Sequence, residues 1–445
     1  MQVSRDSGYP RDAHAIATRH PGCTLQSVRR NRLDLGAHLC CAAVTMGFFF
    51  MWPVLAVRDT FHLELLLTSR IIAYLYLGLW SVAGSLAVIA DLRHGIRIDL
   101  LGATGGFVFC GLWLINFFAY PVTLDHEAIY HYYALVYCIC PFIVGLLLPT
   151  HYLRALGQWL GIASVSFCAV LLVPHLQGAV PAFRNWMFAS INPITEATHL
   201  GVGLICLTCP GLLKMPRVLR VVAAGVVLWQ LVLTSSRGPI VGVILALLVM
   251  TLNGRGLRWS ERFALLSMLG LAGGLFVFVS GYLPDEVRLR LLDVDHSLYS
   301  VGAQGGALVR VDPIVTALRL GLQSPFFGSG LSQNSVLGFY SHNLFSQAFL
   351  EVGAVGVLGL LVVLARSFQG YARGDRYRDK QVVCFGGLFL FYLFVHQFSF
   401  TAILALQLWF LAGVGTRLCG GTGRAGSPRI VPVQPYECSP VRALH

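Results

Sequence analysis

The sequence predicts an all-α, polytopic integral membrane protein with about twelve transmembrane helices, since a spanning helix needs roughly 20 residues. Three observations predict it. Of the 445 residues, 56% are apolar and only 12% are charged, against about 25% charged in a soluble domain. The mean hydropathy is +0.70. The basic residues are also distributed asymmetrically between the loops that separate the apolar runs. Together these exclude a water-soluble globule and a disordered chain.

The apolar runs fall at about 35–57, 70–90, 98–119, 128–149, 155–173, 191–213, 217–234, 239–252, 263–280, 342–365, 382–396 and 400–416. The last two are separated only by Gln397-Phe398-Ser399 and are also compatible with one long helix. The predicted organisation is a cytoplasmic tail over 1–34, nine spans within 35–280, a long loop over 281–341, three spans within 342–417 and a second cytoplasmic tail over 418–445. Residues 1–34 are polar and Arg-rich, without the apolar core of a secretory signal, so the first span is expected to direct insertion.

Orientation follows from the preference of arginine and lysine for cytoplasmic loops. With the N-terminus inside, 24 of the 32 basic residues lie inside and 8 outside. The net charge of +12 is then topological, and nucleic acid is not an expected partner. Of the 12 cysteines, Cys206 and Cys209 have metal-like spacing, but no second ligand pair lies at a matching depth. Neither zinc nor a disulfide framework is expected.

The outside arginines run against that preference. Arg58 and Arg70 flank spans as interfacial anchors. Arg184, Arg237, Arg288, Arg290, Arg310 and Arg319 need another reason. The last four lie in the long loop. Its first part, from Leu283-Pro284-Asp285-Glu286, reads as a mostly apolar helix. A second stretch, about 307–323, is amphipathic, with Leu308, Val311, Val315, Leu318 and Leu322 at helical steps, and ends at Ser324-Pro325. A loop this long with its own helices is usually functional.

Four constellations stand out. In Thr234-Ser235-Ser236-Arg237-Gly238-Pro239, Pro239 suits the first turn of a helix. The helix N-terminus and the Arg237 guanidinium then face the outer interface, an arrangement suited to phosphate; a snorkelling interfacial Arg is the simpler alternative. Arg184 precedes Asn192-Pro193, an N-cap and first helical residue. Ser341-His342-Asn343 opens the tenth span; His342 suits a general base, although a lone interfacial His is ordinarily a polar cap. Glu351, nine positions on, falls on the opposite helix face and about 13 Å deeper, so the two are not expected to pair directly. Gly353-Ala-Val-Gly356, with Gly359, reads as close helix packing. His199 and His396 are each within reach of the same end, and Asp125 and Glu127 are the best acidic candidates for a divalent ion, although no transition-metal motif is present.

These elements resemble the bacterial O-antigen ligase and polymerase superfamily. His342-Asn343, nine residues, then Gly353-x-x-Gly356 is similar to its His-Asn…Gly-x-x-Gly signature. Pro325-Phe-Phe-Gly328-Ser-Gly330 is similar to its Pro-x-x-Gly-x-Gly, and Thr234 to Gly238 to its Thr-x-Ser-Arg-Gly. Arg310 to Leu318 resembles its Arg-x-Glu-x-Trp-x-x-Ala-Leu, with Ile314 for the aromatic and an unusual Pro313. Arg184 with Asn192-Pro193 resembles its Arg…Asn-Pro element, with Ile194 where a second Asn is usual.

The resemblance implies a GT-C-type membrane glycosyltransferase with a helical periplasmic loop. The donor would be a glycan on undecaprenyl pyrophosphate, and the acceptor a hydroxyl of lipid A–core oligosaccharide. Transfer would invert the anomeric centre, without a metal or other cofactor. The expected site has His342 as base and Arg184, Arg237, Arg310, Arg288, Arg290 and Asn343 on the substrate. The alternatives are a polymerase joining lipid-linked repeat units and, from another class, a flippase or transporter for a lipid-linked sugar. The expected partners are the two lipid substrates and membrane lipids; no sequence feature specifies an oligomeric state.

Overall fold

A computed structural model describes residues 22–49, 69–91, 98–119, 138–176, 193–209, 212–213, 215–234, 236–253, 257–280, 311–330, 341, 343–375, 380–397 and 405–421. Thirteen α-helices lie among them. They are α1 (Gly22–Phe49), α2 (Ser69–Asp91), α3 (Leu100–Ala119), α4 (Cys140–Leu147), α5 (Leu153–Leu176), α6 (Pro193–Thr208), α7 (Arg217–Leu233), α8 (Arg237–Asn253), α9 (Trp259–Ser280), α10 (Val311–Gly321), α11 (Leu344–Asp375), α12 (Lys380–Val395) and α13 (Leu406–Gly421). No strand occurs among the described residues.

Twelve of these helices fall on the twelve apolar runs, and α10 falls on the second amphipathic stretch of the long loop. The last two runs are separate helices, α12 and α13. α1 begins at Gly22, inside the segment expected to be tail. By length and composition, Leu344–Arg373 is the one described helix able to cross a membrane, with a mean hydropathy of 2.4; seven shorter apolar helices accompany it. The first helical stretch expected in the long loop lies outside the described residues.

The distribution of side chains is that of a protein solvated by lipid. Glu196, His199, Gln347, Glu351 and Arg417 are buried. Leu39, Ile89, Ile115, Val222 and Leu358 are exposed. In water, an apolar surface of this extent marks an interaction site or an aggregation hazard; against acyl chains it is the ordinary outer surface.

α11 is the central strut. It packs against α3, α10 and α13, and small residues let the backbones approach. A Cβ on Gly105 of α3 would meet the Gly359 carbonyl at 2.8 Å, and a Cβ on Gly415 of α13 would meet Ser367 at 2.8 Å. The Gly359 part of the expected close packing is therefore present. At one end of this pair, Arg366 grips Asp99 with two bonds, Nε to Oδ2 at 2.7 Å and Nη2 to Oδ1 at 2.6 Å. Asp99 Oδ2 also accepts from the Gly102 amide at 2.9 Å, capping α3.

That clamp sets a ruler along the antiparallel pair. Asn116 of α3 donates to the Glu351 carbonyl of α11 at 2.7 Å. At 1.5 Å per residue, Asn116 stands about 25 Å from Asp99, near the far end of a hydrocarbon core about 30 Å thick.

Candidate active site

Two motifs that are separate in sequence form one structural unit at this far end. α11 is broken at Gly353, with φ 64° and ψ −168°. Only glycine adopts this backbone region without strain. Four bonds join the Pro325–Gly330 loop to the break. The amides of Ala354 and Val355 donate to the carbonyls of Pro325 (2.8 Å) and Phe326 (3.1 Å), and those of Ser329 and Gly330 donate to the carbonyls of Leu350 (2.8 Å) and Glu351 (3.3 Å). Asn116 also donates to the Phe327 carbonyl. The backbone groups freed by the break thus find partners within the protein, the condition under which irregular backbone is tolerated at membrane depth.

The sequence reading of Gly353 as helix packing is therefore corrected. A Cβ there would strike the backbone of Phe326 and Gly328, not a neighbouring span. Gly328 and Gly330 have φ of 78° and 84°, and a Cβ on Gly328 would strike the backbone of Glu351. The two glycine motifs form a mutual socket.

About 12 Å beyond Glu351, at the N-terminus of α11, Asn343 caps the helix. Its Oδ1 accepts from the amides of Phe345 at 3.1 Å and Ser346 at 3.0 Å. Its Nδ2 reaches the end of α12, donating to Gln397 O at 3.4 Å and Oε1 at 3.3 Å. Ser341, fully buried, donates from Oγ to the Asn343 carbonyl at 3.2 Å and to Gln347 Oε1 at 3.0 Å. Gln347 Nε2 donates to Glu351 Oε1 at 2.6 Å, and Trp113 Nε1 to Glu351 Oε2 at 3.3 Å.

Arg237 lies in the first turn of α8, half-buried, with Pro239 buried in the same turn. The turn from α7 is tight. Thr234 Oγ1 donates to the Leu231 carbonyl at 2.7 Å and accepts from the Ser236 amide at 3.3 Å. α8 runs antiparallel to α12. A Cβ on Gly387 would meet Met250 Cγ at 2.8 Å, and one on Gly242 would meet Val395 Cγ2 at 3.3 Å. Val395 is two residues from Gln397, which Asn343 contacts. The N-termini of α8 and α11, carrying Arg237 and Asn343, therefore stand at the same end of the bundle, opposite the Asp99–Arg366 clamp. The α8 N-terminus and the Arg237 guanidinium offer donors and positive potential, so this end suits an anion; the Phe345 and Ser346 amides of α11 are already taken by the Asn343 cap.

Of the residues expected at the site, Arg237 and Asn343 are brought to this end. His342, Arg184, Arg288, Arg290 and Arg310 lie outside the described residues, as do Asp125 and Glu127. His199 is buried between two carbonyls, with Nδ1 2.7 Å from Thr195 O and Nε2 3.0 Å from Phe48 O, tying α6 to α1. His396, also buried, stacks on Tyr392 with centroids 6.2 Å apart. Cys206 and Cys209 meet a third thiol, Cys384, which sequence spacing did not reveal. Among the described residues, no group of three or more His, Cys, Asp or Glu is placed to hold a metal ion.

Sequence reasoning missed Gln347, Gln397, Trp113 and Asn116. A signal was present for the first: Asn343, Gln347 and Glu351 recur every fourth residue, the spacing of one helix face. Nothing local indicates the other three.

No curated protein matches the chain. Residues 222–361 match the family model described as O-Antigen ligase. That segment runs from α7 into α11 and contains Arg237, α10, Asn343 and the glycine socket. Over these residues the chain is similar to the O-antigen ligase family.

Proposed function

We propose that the protein is an O-antigen ligase. It transfers a glycan from undecaprenyl pyrophosphate to a hydroxyl of lipid A–core oligosaccharide at the periplasmic face of the bacterial inner membrane, in lipopolysaccharide biosynthesis. The observation that carries this reading is the placement of two helix N-termini, bearing Arg237 and Asn343, at one end of the bundle within the segment that matches the family. In this reading the fold is of the GT-C type with twelve spans, and the long loop closes over the reaction.

The acceptor hydroxyl oxygen attacks the anomeric carbon from the face opposite the leaving group, so configuration inverts. His342 takes the hydroxyl proton. The bond from the anomeric carbon to the pyrophosphate oxygen breaks, and undecaprenyl pyrophosphate departs with the electron pair. Arg237, together with the first-turn amides of α8, stabilises the developing negative charge; Arg184 and Arg310 act with it, and Arg288 and Arg290 stand behind them. Apolar grooves between helices hold the polyprenyl and acyl chains.

The polymerase reading uses the same chemistry with a different acceptor. In a reconstituted assay supplied with both acceptors, lipid A–core is expected to be extended. Exclusive extension of lipid-linked repeat units would identify a polymerase, and loss of neither activity in His342→Ala would remove the mechanism. A transporter predicts broken helices near mid-membrane. The break at Gly353 lies 13 residues, about 20 Å, from the Arg366 clamp, just past the middle of a core about 30 Å thick, so vesicle flux of a lipid-linked sugar without glycan transfer would favour the transporter.

A further inference from the structure

We infer that Glu351 is a positioning residue for the turn Ser341–Asn343, acting through Gln347 in a buried donor–acceptor chain of fixed direction. The inference rests on the ligase or polymerase reading in one respect: His342, which stands between Ser341 and Asn343 in the sequence and lies outside the described residues, is the proposed base.

A carboxyl group on an apolar membrane helix is costly unless its oxygens are satisfied. Glu351 is fully buried, and both of its oxygens accept. Oε1 accepts from Gln347 Nε2 at 2.6 Å and Oε2 from Trp113 Nε1 at 3.3 Å. Indole N–H is only a donor, so the residue facing Trp113 must accept there. At the other end of the chain, Gln347 Oε1 accepts from both the Ser341 amide at 3.3 Å and Ser341 Oγ at 3.0 Å. The amide N–H cannot reverse. Both termini therefore donate inward, and the pair between them must present an acceptor at each end and one N–H···O bond in the middle.

A glutamine facing a glutamate meets this requirement; two glutamines do not, and two carboxyl groups do so only by sharing a proton. If residue 351 becomes Gln, its amide nitrogen faces either the indole N–H or the Gln347 amide nitrogen. Flipping Gln347 in response turns its nitrogen on the Ser341 amide. The mismatch travels to the turn from a position eight to ten residues away. Gln347, four residues from each of Asn343 and Glu351, bridges the distance between them. The Glu351 main chain is held separately by Asn116 and Gly330, so the socket does not depend on the carboxyl group.

The test is a swap in the full-length protein in lipid nanodiscs. Glu351→Gln is expected to lower glycan turnover at least tenfold with the donor KM within twofold. It should also speed hydrogen–deuterium exchange of peptides covering 341–349. The double variant Gln347→Glu/Glu351→Gln reverses only the middle bond, keeps an acceptor toward Ser341 and toward Trp113, and is expected to restore both readouts. Wild-type behaviour of Glu351→Gln, or a double variant no better than Glu351→Gln, would overturn the proposal. Should a single variant not fold, Ser341→Ala removes one donor at the turn, with partly accelerated exchange expected; unchanged exchange counts against the chain. If the wild-type protein forms no glycan product, the functional reading falls and the exchange comparison alone decides this one.

Discussion

Arg237 and Gly353 show how differently two residues can serve one end of a helix bundle. Arg237 supplies charge. Arg237→Ala is expected to lower transfer about 10²–10³-fold, the usual cost of removing one group that stabilises developing charge. Arg237→Lys keeps the charge but loses the planar fork and should recover part of the rate; full activity of the alanine variant in the reconstituted assay would exclude its role. Gly353 supplies shape. Gly353→Ala forces a side chain into a backbone region costing about 1–3 kcal/mol and pushes the Pro325–Gly330 loop from its socket. A lower melting temperature and faster proteolysis after residue 324 are expected. The expectation for Arg237 comes from the sequence, where an arginine in a predicted outside turn conflicts with the topological preference. The role of Gly353 was not legible there, because a helix-packing glycine and a helix-breaking glycine share the same spacing; the difference is a backbone angle set by a loop more than twenty residues away.

At the scale of elements, the ends of the bundle are fixed by polar contacts rather than by apolar packing. The Asp99–Arg366 clamp joins the start of α3 to α11 with side chains 11% and 24% exposed. Asp99→Ala removes a bidentate pair and a helix cap. Because water reaches both groups, the expected loss is about 1–3 kcal/mol, below that for a fully buried pair, read as a lower melting temperature in detergent. Lys380, at the start of α12, pairs with Glu261 in the first turn of α9. Partial burial pushes the Glu261 carboxyl up, but the Lys380 bond and the Arg258 amide together hold it below its usual value. A lowered folded pKa means stability present above the unfolded carboxylate value of about 4.3 and lost as the pH falls through the folded one. The fall in melting temperature between pH 7 and pH 3.5 is therefore expected to be smaller in Lys380→Ala than in the wild type. An equal fall in both would show that the pair contributes nothing. Helix existence and order were legible from the apolar runs, and even the short α10 from its amphipathic period. The boundary of α1 was not, since a polar tail continues the helix without an apolar signal.

For the whole molecule, the arginine bias and the packing converge on one axis. Cysteines introduced at 237 and 342 in a cysteine-depleted background are expected to react with an impermeant reagent from the same side of sealed vesicles. A cysteine at 380 is expected to react from the other side. Labelling of 237 and 342 from opposite faces would dismantle the proposed site, whatever the activity of the variants.

Composition and periodicity alone determined the helical class, the run of apolar segments, the predicted sidedness and the order of the motifs, because each depends on residues close in the chain or on simple sums of charge. The tertiary structure alone decided that Pro325–Gly330 seals the break at Gly353, that Cys384 joins Cys206 and Cys209, and that Trp113 and Asn116 of α3 complete the surroundings of Glu351. Those contacts connect positions up to 238 residues apart, and a buried polar group takes whichever partner the packing brings within about 3 Å, a choice no local pattern encodes.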